Sequence, residues 1–267
     1  MTAEADIPGK SRALRAGFKF GNNGPHSSRT MMLPEVSRCL DILPSTASRA
    51  DYRAAILERN IADKSTESSR QETFRRLREL YGLDTGIPLF RLFRELDTLD
   101  QASRPLLSLL TVCARDPMLR STMPTIIGAR ESDTLGAGDF DRDLERAFPG
   151  YQKPKLRAAT ARHISSTWTQ SGHLQGKKPK TRVRVTARPA ALALALMLGT
   201  FEDIYGAELF RTPWCQVLDL NAIQAQSLAA QCHREGLLDM RAVGSVVEIS
   251  FPRFAEAMNT EGGNEPL

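Results

Sequence analysis

Ten lysines and arginines lie between Tyr151 and Phe201, and no aspartate or glutamate accompanies them. The formal net charge of the whole chain is only +5, so its positive charge is concentrated in this stretch. Segregated cations favour a polyanion as partner, because each phosphate that they neutralise releases condensed counterions. The ten residues are Lys153, Lys155, Arg157, Arg162, Lys177, Lys178, Lys180, Arg182, Arg184 and Arg188. This pattern predicts electrostatic binding of a nucleic acid.

The densest part of the stretch predicts the phosphate-binding residues. Basic side chains alternate there with Val183 and Val185, which is typical of a loop or an edge strand. The residues expected to contact phosphates are Lys177, Lys178, Lys180, Arg182, Arg184 and Arg188. Five or six such contacts would give a log–log salt slope of roughly −4 to −5 on B-DNA. A solvated basic loop between two helices is the alternative interpretation.

A second candidate surface lies on a predicted helix that begins near Ser69 and ends at Gly82. Ser69 followed by Glu72 fits a capping box, as does Ser68 followed by Gln71, and apolar residues recur at three- and four-residue spacing behind them. The other face of this helix carries Arg70, Arg75 and Arg78. A preceding helix and a short polar turn complete the order of a helix-turn-helix motif. An ordinary pair of packed helices with solvated arginines is equally consistent with the pattern.

Another helix is predicted after Pro154, with a stripe of inward residues four apart that ends at Trp168. Arg162 lies off this stripe and is added to the expected nucleic-acid-binding residues. Trp168 lies at the end of the inward stripe, so we expect it in the core and not on a surface that stacks bases.

Known catalytic signatures are absent from the sequence, which has no GxxxxGK[ST] phosphate loop, no HExxH and no GxSxG. The four cysteines form no CxxC pair, and His163 and His173 are too far apart to ligate zinc from one helix face. Asp139, Asp141 and Asp143 alternate like calcium ligands, but the glycine and the glutamate that an EF-hand needs are missing. We expect no enzymatic activity, no metal and no cofactor.

Composition is that of a globular protein outside the membrane. The chain has 267 residues, of which 41% are hydrophobic and 25% charged. Its longest apolar run, residues 190–198, is too short to span a bilayer, for which about 20 residues are needed. The first residues lack the apolar core of a signal peptide. These observations predict a cytoplasmic protein with no membrane contact.

The C-terminal part predicts a winged-helix-like module of three helices followed by a β-hairpin. Asn221 and Gln224 fit a capping box at the start of the third helix, and Gly244 lies at the turn of the hairpin. The segments are residues 189–199, 210–218 and 221–236 for the helices and 237–251 for the hairpin. The third helix would enter a DNA groove, although it is not strongly basic and many such modules contact proteins instead.

The same patterns divide the chain into six parts. They are a flexible arm at 1–28, a helical domain with the helix-turn-helix-like pair at 29–130, an acidic linker loop at 131–150, a helix and the basic segment at 151–188, the winged-helix-like domain at 189–256, and a tail at 257–267. The expected fold class is mainly α.

Several motifs resemble the BrxA family of bacterial BREX (bacteriophage exclusion) defence systems. They are MLPEV at residues 32–36, LERNI at 57–61, KSTESSR at 64–70, RRLREL at 75–80 and SSTWTQSGHL at 165–174. The resemblance covers roughly residues 30–82 and 155–200. It implies an all-helical DNA-binding accessory protein whose helical bundle is like that of the antitermination factor NusB. Such a protein would act beside a methyltransferase, an ATPase and a phosphatase-like partner.

Three functions follow as expectations. The first is a non-enzymatic component of a defence system that binds double-stranded DNA through the basic segment. The second is an RNA-binding or antitermination-like factor, for which aromatic stacking platforms are scarce at 6% aromatic residues. The third is a protein-interaction adaptor, in which the basic stretch meets an acidic partner or residues 131–145 of another copy in a homo-oligomer.

Overall fold

The computed structural model describes residues 9–244 and 246–259, and this part of the chain is mainly helical, as predicted. The α-helices are α1 (Lys10–Ala16), α2 (Leu33–Ile42), α3 (Arg49–Leu57), α4 (Glu67–Tyr81), α5 (Pro88–Leu99), α6 (Arg104–Arg115), α7 (Pro117–Arg120), α8 (Met123–Gly128), α9 (Ala137–Ala147), α10 (Pro154–Gln170), α11 (Pro189–Phe201), α12 (Pro213–Gln216) and α13 (Ala222–Arg234). The strands are β1 (Thr134–Leu135), β2 (Leu174–Gln175), β3 (Lys180–Arg182), β4 (Asp239–Val243) and β5 (Val246–Ser250). Short 3-10 helices lie at Pro25–Ser27, Gln101–Ser103, Gly206–Arg211 and Pro252–Phe254. Within these residues, no helix combines the length and the apolar character that crossing a membrane requires.

Two helices buried on almost all sides form the centre of the core. Every residue of α11 after Pro189 is buried, and α6 is buried throughout except at the half-buried Pro105. A helix that is apolar around most of its circumference belongs in an interior. Because α11 packs against α5, α6, α12 and α13, it joins the N-terminal helices to the C-terminal ones. The domain boundaries expected from the sequence stay predictions.

The described N-terminal residues are folded against the body, so the expectation of a flexible arm at 1–28 is wrong for residues 9–28. Helix α1 packs against α5 and α11. Phe18 is buried and meets Phe201 edge-on, with ring centroids 6.3 Å apart. Glycine and asparagine give this segment little helical propensity, but tertiary burial overrides that weak local signal. Residues 1–8 lie outside the described part.

The acidic stretch expected to be a linker loop, residues 131–150, contains helix α9. Its N-cap is Gly136, whose amide donates to Asp139 Oδ2 at 2.7 Å. Phe140 and Leu144, four residues apart, are buried and give the helix its apolar face. The prediction failed because acidic residues and glycines surround these two side chains, so the apolar face is narrow.

Residues 180–182 form the central strand of a small sheet with the order β1–β3–β2, in which both pairings are antiparallel. Thr134 pairs with Thr181, and Leu174 pairs with Arg182. The expectation of a loop or an edge strand is therefore wrong for these three residues. Alternation of polar and apolar residues is the same for an edge strand and a central one, so the pattern could not separate them.

Helices α3 and α4 pack together and reproduce the predicted helix, turn, helix order. The N-cap of α4 is Thr66 rather than Ser69, and the two residues form the capping box with Thr66 Oγ1 accepting the Ser69 amide at 3.1 Å. Leu77 and Leu80 are buried and Phe74 is half-buried, as their spacing predicts.

The C-terminal segment follows the predicted order at its first helix, third helix and hairpin. Asn221 caps α13, and its Oδ1 accepts the Gln224 amide at 2.9 Å. Strands β4 and β5 are paired in an antiparallel hairpin. The second predicted helix, at 210–218, is instead a 3-10 helix followed by the one-turn α12. Pro213 causes the break, because a residue before proline avoids helical backbone angles and Thr212 is extended.

Candidate nucleic-acid interface

Lys177 and Lys178 are the most accessible residues of the predicted basic segment. Both lie in the turn between β2 and β3, where residues 175–179 are exposed. Neither side chain has an ion-pair partner among the described residues. A cation in this condition is free to neutralise a phosphate.

Arg182 cannot bind a partner, because its side chain is fully buried. Its Nη2 donates to Asp219 Oδ1, and its Nε donates to Ile126 O at 3.2 Å. Arg184 Nη1 donates to the same Asp219 oxygen at 2.9 Å while about half of the Arg184 side chain stays exposed. The assignment of Arg182 to phosphate binding is wrong, since the strand that carries it is central and the cation is neutralised inside the fold.

Arg188 is engaged at another place in the fold. Its Nε donates to Asp100 Oδ2 at 2.7 Å, and Ser103 Oγ donates to the same oxygen. Asp100 is partly buried, which by itself would raise its pKa, but the bonds from Arg188 and Ser103 hold that pKa below its ordinary value. Arg188 is thus held by Asp100 and leaves the group around Lys177.

Lys180 is half-buried against the C-terminal half of α10. Its Nζ donates to Ser165 O at 3.0 Å and to Thr169 Oγ1 at 2.9 Å. Burial lowers the pKa of this amine. Lys180 therefore anchors β3 on α10, and it places the turn with Lys177 and Lys178 beside that helix.

Helix α10 forms as its sequence predicts, with Pro154 at its first turn and Thr160, Ile164 and Trp168 buried, but Leu156, the first residue of the predicted inward stripe, is exposed. Arg162 lies on the opposite, exposed side, and so does Lys155 seven residues earlier. Residues seven apart share a helix face. No ion pair of either side chain is found in the described part of the chain.

Arg29 joins this surface from a distant part of the sequence. Residues 25–30 run along α10, where His163 Nδ1 bonds to His26 O at 3.0 Å. Burial, followed by the charges of His26, Arg162 and Arg29, lowers the pKa of His163 despite that bond. Sequence reasoning missed Arg29, because it lies at the boundary between the expected arm and the expected helical domain, and no spacing rule connects it with Arg162.

The acidic residues of α9 lie against the other side of α10. Arg157 Nε donates to Asp141 Oδ1 at 3.1 Å, and Arg157 Nη1 donates to Glu145. Arg157 and Lys155 are two residues apart and point to opposite sides of the helix. The acidic helix therefore neutralises Arg157 and leaves the side of α10 with Arg162 positive.

The second predicted surface on α4 is mostly engaged within its own helix pair. Arg75 forms two hydrogen bonds with Glu72 Oε2, at 2.9 and 2.6 Å. Arg70 Nη1 donates to Leu57 O at 2.9 Å, and Arg78 is half-buried in the last turn. Helix α4 packs against α3 and α6 and contacts the 3-10 helix Pro25–Ser27, whereas Lys177 lies in the turn between β2 and β3.

A hydrogen-bonded chain of Asp116, His26 and Thr167 has the order of a catalytic triad. His26 Nδ1 lies 2.7 Å from Asp116 Oδ2, and His26 Nε2 lies 2.8 Å from Thr167 Oγ1. All three side chains are fully buried, so no substrate can reach the hydroxyl. Asp116 also accepts the Met118 amide at 2.8 Å and caps α7. The array has a structural role: it ties residues 25–31 to the core.

Five cations therefore make up one surface, which we call the α10 basic face: Arg29, Lys155, Arg162, Lys177 and Lys178. Among the described residues no group of three or more His, Cys, Asp or Glu side chains is placed to hold a metal ion. The chemistry open to the α10 basic face is binding of anions with several spaced charges. Comparison of the chain with protein-family models, with curated proteins and with solved structures finds no match.

Proposed function

We propose that the protein is a non-enzymatic DNA-binding component of a bacterial anti-phage defence system, and that it holds duplex phosphates on the α10 basic face. One observation carries the proposal. Five cations without an ion-pair partner in the described residues border one helix, in and beside a stretch of the chain that contains no acidic residue. A surface of this kind gains affinity for DNA from counterion release without reading its sequence.

The spacing on α10 supports a phosphate backbone as the partner. Lys155 and Arg162 are about 10 Å apart along the helix axis at 1.5 Å per residue. Three base-pair steps of B-DNA rise by about the same distance. The two side chains can therefore contact phosphates of one strand, while Lys177 and Lys178 at the far end of the helix extend the contact.

The resemblance to the BrxA family gives the proposal its biological setting. The resemblance rests on the motifs in residues 30–82 and 155–200. It implies a NusB-like helical bundle that acts together with a methyltransferase and an ATPase. A winged-helix role for α11, α12, α13 and the hairpin fits their order in the chain. In that role α13 would enter a groove while the α10 basic face holds the backbone.

The test is fluorescence anisotropy with a labelled duplex of about 30 bp at several salt concentrations. Three to five phosphate contacts predict a log–log salt slope of roughly −3 to −4.5. The variant Arg162→Ala/Lys177→Ala/Lys178→Ala should flatten the slope by about 2.7, because each lost contact removes about 0.9. Its affinity at low salt should fall at least tenfold.

The matched control is Arg15→Ala/Arg53→Ala/Arg142→Ala, which removes the same charge from exposed positions on α1, α3 and α9. It should keep the wild-type slope. An equal loss of duplex affinity in both triple variants would show that binding depends only on net charge, and the α10 basic face would be rejected as the binding surface. Stronger binding of single-stranded RNA than of duplex would favour the antitermination-like alternative. Absence of binding to either nucleic acid would favour the adaptor.

A further inference from the structure

An open cleft of about 810 Å³ lies between the segment that follows β3 and the start of α13. Its polar lining includes Arg184, Arg211, Asn221 and Gln224. Its apolar lining includes Ile127, Val185, Phe210 and Leu220. The volume falls in the range of about 300–1,000 Å³ that small-molecule sites occupy.

The cleft has a positive balance of charge although Asp219 also lines it. That carboxylate is nearly fully buried and is saturated by Arg182, Arg184 and the Val185 amide, which donates to Oδ2 at 2.8 Å. Two guanidinium groups thus face one carboxylate. The excess charge resides on Arg184, whose side chain is 49% exposed.

Arg211 adds a second positive charge to the lining. Its ion pair with Glu208 joins side chains that are 60% and 67% exposed, so water screens that attraction. Arg211 can therefore exchange this weak partner for an anion bound in the cleft.

Donors outnumber acceptors in the polar lining. Asn221 Oδ1 and Gln224 Oε1 each accept the other residue's backbone amide, at 2.9 Å in both cases. Their NH2 groups have no acceptor within the described chain, so they remain available as donors. A ligand that supplies several acceptor oxygens and negative charge matches this lining.

We propose that the cleft binds a small phosphate ester with an apolar or planar body, of the size of a nucleoside monophosphate. A phosphate monoester offers three terminal oxygens and a charge near −2, which matches the two guanidinium groups, whereas a carboxylate carries only one negative charge. Its base or other apolar part lies against Val185 and Leu220. The inference stands apart from DNA binding, because no residue of the α10 basic face lines the cleft.

The experiment is isothermal titration of the full chain with deoxyadenosine monophosphate at low ionic strength. We expect a dissociation constant below about 1 mM, and Arg184→Gln and Arg211→Gln should each weaken it by about tenfold or more. Arg53→Gln, an exposed change of the same kind on α3, should leave it unchanged. Arg211 makes only a surface ion pair, so its variant keeps the test valid even if Arg184→Gln disturbs folding.

Three further measurements test whether the phosphate is required and whether it comes from a free nucleotide or from the end of a strand. Deoxyadenosine without phosphate should not bind. A 5′-phosphorylated single strand that displaces the nucleotide, while its unphosphorylated twin does not, would assign the site to strand ends; displacement by neither strand would assign it to free nucleotides. The Arg162→Ala/Lys177→Ala/Lys178→Ala variant should bind the nucleotide with wild-type affinity even though its affinity for duplex DNA is reduced. Equal affinity for deoxyadenosine, or equal affinity of wild type and both arginine variants, would overturn the inference, as would the absence of any binding.

Discussion

Asp219 decides which arginines of the basic segment face solvent. It lies in the left-handed backbone region, at φ 60°, and its carboxylate holds Arg182, Arg184 and the Val185 amide. Arg182 and Asp219 form a buried ion pair, in which each charge neutralises the other. Losing one partner of such a pair leaves the other charged, buried and unpaired, which is more costly than never having had the pair.

Asp219→Asn should therefore lower the free energy of unfolding by about 3–5 kcal/mol. Asparagine adopts the left-handed region readily, so the substitution removes the charge without a large backbone cost. Urea denaturation followed by circular dichroism measures the change. Arg184→Gln is the control and should cost less than about 1 kcal/mol, since that side chain is half exposed. Similar stabilities of Asp219→Asn and wild type would contradict the assigned role of the pair.

These contacts explain why the candidate site could be predicted only in part. The acid-free stretch identified Arg162, Lys177 and Lys178 as cations, and the structure leaves them exposed. The carboxylates of Asp100 and Asp219 lie outside that stretch and fold back onto it, where they occupy other members of the segment. Pairing of this kind depends on tertiary contacts, so charge counting along the chain cannot show it.

The segment from residue 25 to residue 33 is the element that connects α4 with α10. Tyr81 Oη donates to Met31 O at 2.7 Å from α4, and the Met31 amide donates to Thr167 Oγ1 at 2.8 Å on α10. The preceding Gly24 has no room for a side chain, because a Cβ there would lie 2.0 Å from Asp116 Oδ1. A segment with little regular structure is thus held in place by buried polar contacts.

Thr167→Val should loosen this segment before it unfolds the protein. Valine keeps the shape of the side chain but leaves His26 Nε2 and the Met31 amide without a hydrogen-bond partner. Each unsatisfied buried group should lower the free energy of unfolding by about 1–3 kcal/mol. Hydrogen exchange measured by mass spectrometry should show faster exchange in peptides covering residues 17–32 than elsewhere. Thr111→Val, which removes an equally buried hydroxyl bonded only to Leu107 O, is the matched control. Uniform acceleration over the whole chain would contradict a local role.

The helices that the sequence predicted well have a strong apolar pattern and a local start signal, which is a proline in the first turn of α10 and α11 and a capping box in α13. The β4–β5 hairpin follows its alternation. Helix α9 was missed, because its apolar face consists mainly of Phe140 and Leu144 and its acidic residues find their partner in Arg157. Such an element is stabilised by contacts that are distant in sequence, where local patterns carry little information.

At the scale of the molecule, α10 separates two charge environments. Acidic residues of α9 contact one side of it, and the α10 basic face occupies the other. The net charge of +5 is therefore distributed unevenly and can orient the protein as it approaches a polyanion. The same helix ends beside His173, which connects the small sheet to the C-terminal helices through Val217.

His173 should make the stability of the whole protein depend on pH below neutrality. Burial lowers the pKa of His173 to about 4, and the bond from Nε2–H to Val217 O at 2.7 Å only partly opposes that effect. The unfolded chain binds this proton near pH 6.5 and the folded one only near pH 4, so stability is lost as pH falls between these values. The loss of stability should approach about 1.4 kcal/mol per pH unit, and about 3 kcal/mol in total.

Urea denaturation from pH 7 to pH 5 measures the slope of stability against pH, which should be smaller in His173→Gln. The control is His233→Gln, which removes an exposed histidine and should keep the wild-type slope. A wild-type slope in His173→Gln would show that His173 is not the cause of the pH dependence.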